Sequence, residues 1–237
     1  MPQAVSQTSK LDPGTFGVPA EALPSFDDPP VSPHTWFGTP PDTDPVSLPP
    51  IELEIGSGKG TFLVQQALAE PNTRFLGMEY ARAYYRYTAD RLRRRNITNA
   101  RMLHAEAAAF LRFAMPNHVF HQVHLYFPDP WPKKRHHKRR FFQLSNLEQV
   151  HRVLIDPHPE DPDSGQLRVA TDHADYFAWM QEHAALATHL FERLPYQPPA
   201  SASESEVVGS NFERKYIAEG RAFHGMILRK RPAPHPV

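Results

Sequence analysis

The chain of 237 residues contains no cysteine, which limits what it can be. Without thiols it can form no disulfide, thiolate zinc site, cysteine-ligated iron–sulfur cluster or thiol nucleophile. It also has no net charge, because 26 lysines and arginines balance 26 aspartates and glutamates. No apolar stretch approaches the roughly 20 residues that cross a bilayer, and the N-terminus lacks the basic and apolar segments of a signal peptide. These absences predict a cytoplasmic protein without a membrane segment.

The charge is distributed unevenly along the chain. Residues 1–50 contain one basic residue, Lys10, against six acidic ones, and they hold 12 of the 26 prolines. A proline-rich segment with no helical period is typical of disorder, so we predict a largely disordered acidic leader over residues 1–50. Trp36 and Phe37 near its end are candidates to dock on the core. Beyond residue 50 the chain has 25 basic residues against 20 acidic ones, and six of the basic ones lie in residues 133–140.

After residue 50, short apolar runs alternate with amphipathic segments, a pattern that indicates βαβ units. The sequence therefore predicts one α/β domain over residues 51–231, with a flexible tail at 232–237. Its sheet is predicted to be doubly wound, mostly parallel and seven-stranded, with helices on both faces. The predicted strands are residues 51–55, 74–79, 101–104, 122–127, 166–170, 191–194 and 226–229. The predicted helices are residues 60–70, 82–95, 141–153, 172–187 and 212–219. Residues 156–165 and 198–210 are predicted to be loops, the second of them flexible.

A glycine-rich turn joins the first predicted strand to its helix. Glu54 begins this turn, which contains Gly56, Gly58 and Gly60. Glycines at such a junction let the backbone turn tightly and approach a ligand closely, although an ordinary strand-to-helix turn can show the same pattern. Glu79 ends the second strand about 20 residues later, where an acidic side chain can accept hydrogen bonds from ribose hydroxyls. The sequence thus predicts a site for a nucleotide-type cofactor.

The choice of cofactor depends on glycine spacing and charge. The spacing is Gly-x-Gly-x-Gly, and Thr61 occupies the position of the third glycine in a dinucleotide-binding turn. Glu106 follows the third strand, where it can accept from an adenine amine, and Glu54 adds negative charge to the first loop. A sulfonium and an amino acid tail suit this charge better than a pyrophosphate does. S-adenosylmethionine is therefore predicted in preference to NAD.

The segment after the fourth strand combines a rigid acid with a run of cations. Asp129 lies between Pro128 and Pro130, which would hold its carboxylate as positioning catalysis requires, although a turn or capping role is equally compatible with the local pattern. The basic run that follows is expected to bind RNA phosphates, the alternatives being a solvated face or a localisation signal. His136 and His137 within it have no accompanying metal-ligand spacing, so no metal is predicted.

The block from Asp129 through Pro130, Trp131, Pro132 and Lys133 to Arg140 closely resembles the signature of the bacterial tRNA (guanine-N7)-methyltransferases. Three further segments match that family in the same order. They are the glycine loop at 54–60, the pair Thr171-Asp172, and residues 210–216 with Gly220 and His224. The resemblance covers residues 51–231 and implies a class I S-adenosylmethionine-dependent methyltransferase fold. The loop at 156–164 is longer than the family pattern, and the leader has no counterpart in it.

Transferred to this chain, the resemblance implies roles for individual residues. The cofactor would be held by Glu54, Gly56, Gly58, Glu79, Glu106 and Asp129, with Asp129 also at the reaction centre. The substrate guanosine would be contacted by Lys133 and Asp172 and covered by Ser210, Asn211, Phe212 and Glu213. The RNA would follow Arg135, His136, His137, Lys138, Arg139 and Arg140. The partner is tRNA, methylated at a variable-loop guanosine (position 46), and the enzyme is expected to be a monomer or a weak homodimer.

Guanine N7 has an in-plane lone pair that is unprotonated at neutral pH, so its methylation needs alignment rather than a strong base. Asp129 and Asp172 are expected to accept hydrogen bonds from the N1 and N2 edge of the base, which would also select guanine over adenine. Two alternatives remain at this point: methylation of an exocyclic amine of RNA, and a non-catalytic RNA-binding protein. An NAD-dependent dehydrogenase is disfavoured by the glycine spacing and by the lack of a proton-transfer constellation.

Overall fold

The computed structural model describes residues 11–204, 206–209, 213–214 and 219–232. It contains one eight-stranded sheet in the order β1-β4-β3-β2-β5-β6-β8-β7. The strands are β1 (Gly17–Val18), β2 (Ile51–Ile55), β3 (Arg74–Glu79), β4 (Ala100–His104), β5 (Gln122–Tyr126), β6 (Gln166–Thr171), β7 (Phe191–Leu194) and β8 (His224–Lys230). The six strands from β1 to β6 run parallel, whereas β8 is antiparallel to both β6 and β7. The predicted mostly parallel sheet is confirmed, with one strand more than predicted because the leader supplies β1.

Among the described residues, five α-helices cover the two faces of this sheet. They are α1 (Thr61–Ala69), α2 (Arg82–Arg94), α3 (Ala107–Ala114), α4 (Leu144–Val153) and α5 (Ala174–Leu186). Leu63 of α1 and Leu92 of α2 share one buried cluster with β3 and β4. Phe110 of α3, Leu147 of α4 and Met180 of α5 belong to the cluster on the other face. Parallel strands require crossover connections, so helices on both faces bury the sheet.

The order of the strands fixes where a ligand can bind. The chain builds β2, β3 and β4 outward in one direction, then returns to place β5 on the other side of β2. The loops that leave β2 and β5 therefore diverge and open a crevice at the carboxyl ends of these strands. The glycine turn and the loop containing Asp129 are these two loops.

Residues 1–50 were predicted to be a largely disordered leader, and residues 11–50 form short elements that pack against the domain. Short 3-10 helices and β1 lay it along the β4 edge of the sheet. Trp36 and Phe37 pack against the core, as predicted, and the guanidinium of Arg101 lies 4.9 Å from the ring centre of Phe37. A side chain at Gly17 would place its Cβ 2.6 Å from the hydroxyl of Tyr85. This proline-rich segment is therefore held against the domain, because specific side chains of the domain contact it.

Two further segments differ from the prediction. Helix α3 was not predicted, although its alanine-rich sequence favours a helix and Glu106 caps it. Residues 198–210 were predicted to be a flexible loop. Val208 in this segment is fully buried, and the backbone N–H of Ser201 donates a hydrogen bond to the side-chain oxygen of Gln66 on α1. The predicted helix at 212–219 lies mostly outside the described residues. None of the described helices is both long and apolar enough to cross a membrane.

Candidate active site

The glycine turn after β2 is held open by the carboxylate of Glu79. One oxygen of Glu79 accepts from the backbone N–H of Gly58 at 2.9 Å, and the other accepts from the N–H of Ala81 at 2.8 Å. Gly56 and Gly58 have φ angles of +78° and +52°, and a Cβ on either would meet nothing within 4 Å. A Cβ on Gly60 would instead lie 2.2 Å from Thr88. The first two glycines therefore border open space, whereas the third allows α1 to pack against α2.

Glu54 lies on β2, two residues before the first glycine of this turn. Its side chain is buried, and its Oε2 atom has no hydrogen-bond partner among the described residues. Burial raises the pKa of Glu54 to about 7, Ser57 opposes that rise through a hydrogen bond, and the charge of Glu79 adds to it. A buried carboxylate oxygen without a partner is costly unless a ligand completes it. Glu54 is therefore ready to accept a hydrogen bond from a cationic group.

Glu106 forms the third acidic position of the same crevice. It is the N-cap of α3, and its two carboxylate oxygens accept from the N–H groups of Ala108 and Ala109 at 3.0 and 2.8 Å. Such a cap fixes the direction of the side chain and stabilises the helix by about 1 kcal/mol. Each carboxylate oxygen can accept a further hydrogen bond. Glu106 thus has a structural role that the sequence prediction did not include, and it still lines the cleft.

Three of the acids and two of the glycines line one cleft of about 520 Å³. Its walls include Gly56, Gly58, Glu79, Tyr80, Tyr84, Glu106, Phe127, Asp129, Trp131, Arg139 and Phe141. A second cleft of about 430 Å³ adjoins it through shared residues and is lined by Glu54, Lys59, Thr61, Phe62, Tyr126 and Val208. The sequence predictions for Glu54, Gly56, Gly58, Glu79, Glu106 and Asp129 therefore converge on one region of the molecule.

The loop with Asp129 has an unusual backbone. Phe127 and Trp131, which flank the Pro128-Asp129-Pro130 segment, both have positive φ angles, at 49° and 44°. The left-handed region costs a non-glycine residue about 1–2 kcal/mol, so surrounding contacts must hold the loop in place. Asp129 itself is exposed at the cleft wall. The loop therefore presents Asp129 at the wall of the cleft and not in the core.

The basic block is divided between the surface and the core. Lys134–Arg139 forms a 3-10 helix, in which Lys134, Arg135 and Lys138 are exposed, as is Lys133 before it. Arg139 lies over the ring of Trp131 at 4.9 Å, and the ring of His136 meets the edge of the same tryptophan at 5.9 Å. His137 packs against Trp179 at 5.5 Å. These contacts give the block a fixed shape beside the cleft.

Arg140 was predicted to bind RNA, and the structure corrects this. The residue is 1% exposed. Its guanidinium donates to the carbonyl of Pro130 and to the carboxylate of Asp175, and it lies over the rings of Tyr176 and Trp179 at 4.8 and 5.1 Å. Arg140 therefore joins the Asp129 loop to α5 and is not available to phosphates.

The remaining predicted substrate residues occupy different environments. Asp172 accepts at Oδ2 from Arg221 at 2.8 Å, which brings the segment before β8 next to the end of β6. Glu213 is fully buried, and its carboxylate accepts hydrogen bonds from the backbone N–H groups of 207–209. The prediction that Glu213 faces the substrate is therefore corrected, because its carboxylate holds that loop. Ser210, Asn211 and Phe212 lie outside the described residues. No cluster of histidine and acidic residues that could hold a metal occurs in the part of the chain that is described.

Sequence reasoning missed several aromatic residues of the cleft. Tyr80 directly follows Glu79, Tyr84 lines both clefts, and Phe141 closes the wall beside Asp129. Tyr80 and Tyr84 are 74% and 46% exposed, which is high for tyrosines beside a cleft. Their proximity to Glu79 in sequence was the signal that could have identified them.

Comparisons with known proteins agree with this geometry. Residues 49–226 match a protein family described as "Putative methyltransferase". The chain is 33% identical over 187 residues to a tRNA (guanine-N(7)-)-methyltransferase of Halorhodospira halophila, a match that covers 77% of this chain and 76% of the relative. It is 38% identical over 165 residues to the enzyme of the same name from Nitrosococcus oceani, covering 66% of each. The crystal structure of the aminoglycoside resistance methyltransferase NpmB1 aligns over 78% of this chain and 89% of its own, with a TM-score of 0.51 and 15% identity. That last likeness concerns the fold alone.

Proposed function

The chain belongs to the family of tRNA (guanine-N(7)-)-methyltransferases, and from this premise we propose how its residues transfer a methyl group from S-adenosylmethionine to N7 of a guanine in tRNA. The observation that carries the assignment of residues is the convergence of four acids on one glycine-lined crevice. Glu54 and Glu79 lie at the carboxyl ends of β2 and β3, Glu106 and Asp129 follow β4 and β5, and all four line the two adjoining clefts.

The residues of the crevice fit the cofactor. The open space in front of Gly56 and Gly58 accommodates a ligand that touches the backbone, and the unpartnered oxygen of Glu54 suits an ammonium group. Glu79 would accept from the ribose hydroxyls and Glu106 from the adenine amine. When bound, S-adenosylmethionine supplies the electrophilic methyl group. The protein supplies position, charge and the exclusion of water.

Asp129 and Asp172 would orient the base. Their carboxylates would accept from the N1–H and N2–H groups of guanine and so aim N7 at the cleft. Arg221 holds one oxygen of Asp172, which restrains the direction of that carboxylate. Adenine lacks this pair of donors and would leave two carboxylates without partners, a strong basis for discrimination. Lys133 beside the same loop would contact the guanosine.

The exposed cations beside the cleft would hold the tRNA. Lys134, Arg135 and Lys138 project from the 3-10 helix. His136 and Arg139 lie against Trp131, which lines the cleft. Contacts between cations and phosphates release counterions, so affinity for tRNA should fall steeply with salt. The target we propose is the variable-loop guanosine at position 46, which must leave its stack to reach the cleft.

The experiment is transfer of labelled methyl to unmodified tRNA transcripts, followed by nucleoside mapping. Wild-type protein should give 7-methylguanosine that disappears when guanine 46 is replaced by adenine. Asp129→Asn should lower kcat about 100-fold, since misplaced reactants commonly cost that much. Asp27→Asn, an exposed acid of the leader, is the matched control and should retain wild-type kcat. Label in an exocyclic amine would contradict the proposed target atom, and equal kcat for both variants would contradict the role of Asp129.

A further inference from the structure

Helix α2 has three faces with different partners. Tyr85, Ala89 and Leu92 face the core. A second face meets the leader, where Arg86 donates to the carbonyl of Leu11 at 2.7 Å and Arg93 to that of Asp12 at 3.0 Å. The third face is turned toward solvent, and its residues are spaced three or four positions apart, as one face of an α-helix requires.

This solvent face is a stripe of aromatic and basic residues, defined as Tyr84, Tyr87, Arg91 and Arg95. Tyr84 and Tyr87 are 46% and 38% exposed, and no acidic residue lies on the stripe because Asp90, the one acid of the helix, is buried beside Arg93 and Arg94. At 1.5 Å per residue the stripe is about 16 Å long. One end lies at the cleft, which Tyr84 lines, and the other is cationic.

The basic end is not neutralised within the described part of the molecule. Neither Arg91 nor Arg95 forms an ion pair there, in contrast to Arg93 and Arg94, which both pair with Asp90. Arg91 donates to the backbone carbonyl of Lys59, so Lys59 of the glycine turn is a third basic residue close to Arg91 and Arg95. Burial lowers the pKa of Arg91, and the like charge of Arg95 lowers it further. A group of unneutralised cations of this kind favours a polyanion.

We propose that this stripe is a second tRNA-binding surface, on which Tyr87 stacks against an exposed base or ribose and Arg91 and Arg95 contact backbone phosphates. The proposal rests on the methyltransferase function and extends it. Tyr84 and Arg139 line the same cleft, one from α2 and one from the basic block, so the cleft lies between the stripe and the basic block. A tRNA whose guanine enters the cleft would thus be held on both borders. Single-stranded segments are bound elsewhere by this same combination of aromatic platforms and cations.

The test measures the Kd of the full chain for an unmodified tRNA transcript between 50 and 200 mM salt. Arg95→Gln should weaken binding about threefold and reduce the salt slope by about 1, as the loss of one phosphate contact does. Tyr87→Ala should weaken binding at least about fivefold with an unchanged slope, and Tyr87→Phe should restore it. The matched control is Arg193→Gln, an exposed arginine on the edge strand β7, which should bind like the wild type.

The outcomes separate this proposal from the function on which it rests. Arg95 and Tyr87 do not line the cleft, so their variants should bind S-adenosylmethionine with the wild-type Kd and unfold at the wild-type temperature. If the wild type methylates tRNA and both variants bind tRNA like Arg193→Gln, the second surface is disproved and the function stands. If binding depends on the stripe but no methyl group is transferred to tRNA, the function is disproved and the surface stands.

Discussion

The Nε atom of Arg140 donates a hydrogen bond of 2.8 Å to the carbonyl oxygen of Pro130. Its Nη2 atom reaches the carboxylate of Asp175 at 2.6 Å, so one guanidinium connects the loop of Asp129 with the start of α5. The last residue of the basic block therefore holds the Asp129 loop, with its positive φ angles at Phe127 and Trp131, against α5.

Replacing Arg140 by lysine keeps the charge and removes the planar fork. We expect Arg140→Lys to lower the free energy of unfolding by about 1–3 kcal/mol, because an ammonium cannot satisfy both acceptors. It should also lower kcat about tenfold or more by loosening Asp129, with little change in the Kd for tRNA. Urea unfolding, steady-state kinetics and filter binding check this, with the exposed Arg135→Lys as control. Weakened tRNA binding with an unchanged kcat would indicate that Arg140 contacts RNA after all.

Glu54 should make cofactor binding depend on pH near neutrality. Burial raises the pKa of Glu54 to about 7, so its charged form costs stability and the free energy of unfolding should decline from pH 4.5 to 7 and then level. A cationic ligand group prefers the ionised form, so affinity for S-adenosylmethionine should rise about tenfold from pH 6 to pH 8. Calorimetry of the wild type and of Glu54→Gln tests this. The variant should bind weakly and lose the pH dependence, and an equally steep profile in the variant would assign it to another group.

The sequence predicted the parts of the site that depend on local chemistry. Glu54 and the glycine turn are recognisable because a strand ends and a turn begins there. Glu79 is recognisable because its carboxylate follows the glycines at a characteristic distance along the chain. Six of the seven predicted strands begin and end within one residue of the observed ones, since buried strands are short apolar runs, whereas β8 is longer than predicted and β1 was not predicted. Local pattern was sufficient wherever a residue's partners lie in its own segment.

Two of the errors concern residues whose partners are distant in the chain, and a third, at Glu213, concerns partners only four to six residues away. Arg140 looks like its neighbours in the basic block, and only the rings of Tyr176 and Trp179 on α5 explain its burial. The ordered leader likewise depends on Tyr85 and Arg101, which no property of residues 1–50 reveals. Glu213 appeared to belong to a substrate motif, and its function became visible only with the amides of 207–209 around it.

The long loop at 156–164 is tied to the residue before β5 by the pair of His121 and Asp161, whose contribution to stability should be lost at basic pH. Burial opposes the charge of His121, but the carboxylate of Glu52, 3.5 Å from its Nδ1, and a hydrogen bond of 2.5 Å between its Nε2 and Asp161 raise the pKa of the histidine to about 9. Its contribution should be complete below pH 6.5 and be lost as pH rises through 9. Asp161 is partly exposed, so Asp161→Asn should cost about 1 kcal/mol, or about 2–4 °C in Tm at pH 7. Melting curves from pH 6 to 10 measure this, and a difference in Tm that does not shrink toward pH 10 would argue against the histidine.

Glu213 should act on the cofactor side of the cleft through the loop that it holds. Its buried carboxylate accepts from Val208 and Gly209, each at 2.8 Å, and Val208 lines the cleft together with Glu54. Glu213→Gln keeps the size and introduces a donor among three N–H groups, so the loop should shift. We expect the Kd for S-adenosylmethionine to rise about tenfold, as the loss of one charge-assisted hydrogen bond implies, while discrimination between guanine and adenine at the target remains unchanged. Calorimetry with the cofactor and methyl transfer to paired transcripts separate the two effects. Glu182→Gln, which changes an exposed carboxylate on α5, is the control. If Glu213→Gln relaxed discrimination while leaving cofactor affinity intact, the carboxylate would have to reach the base itself, and the loop at 207–209 would have to open during the reaction.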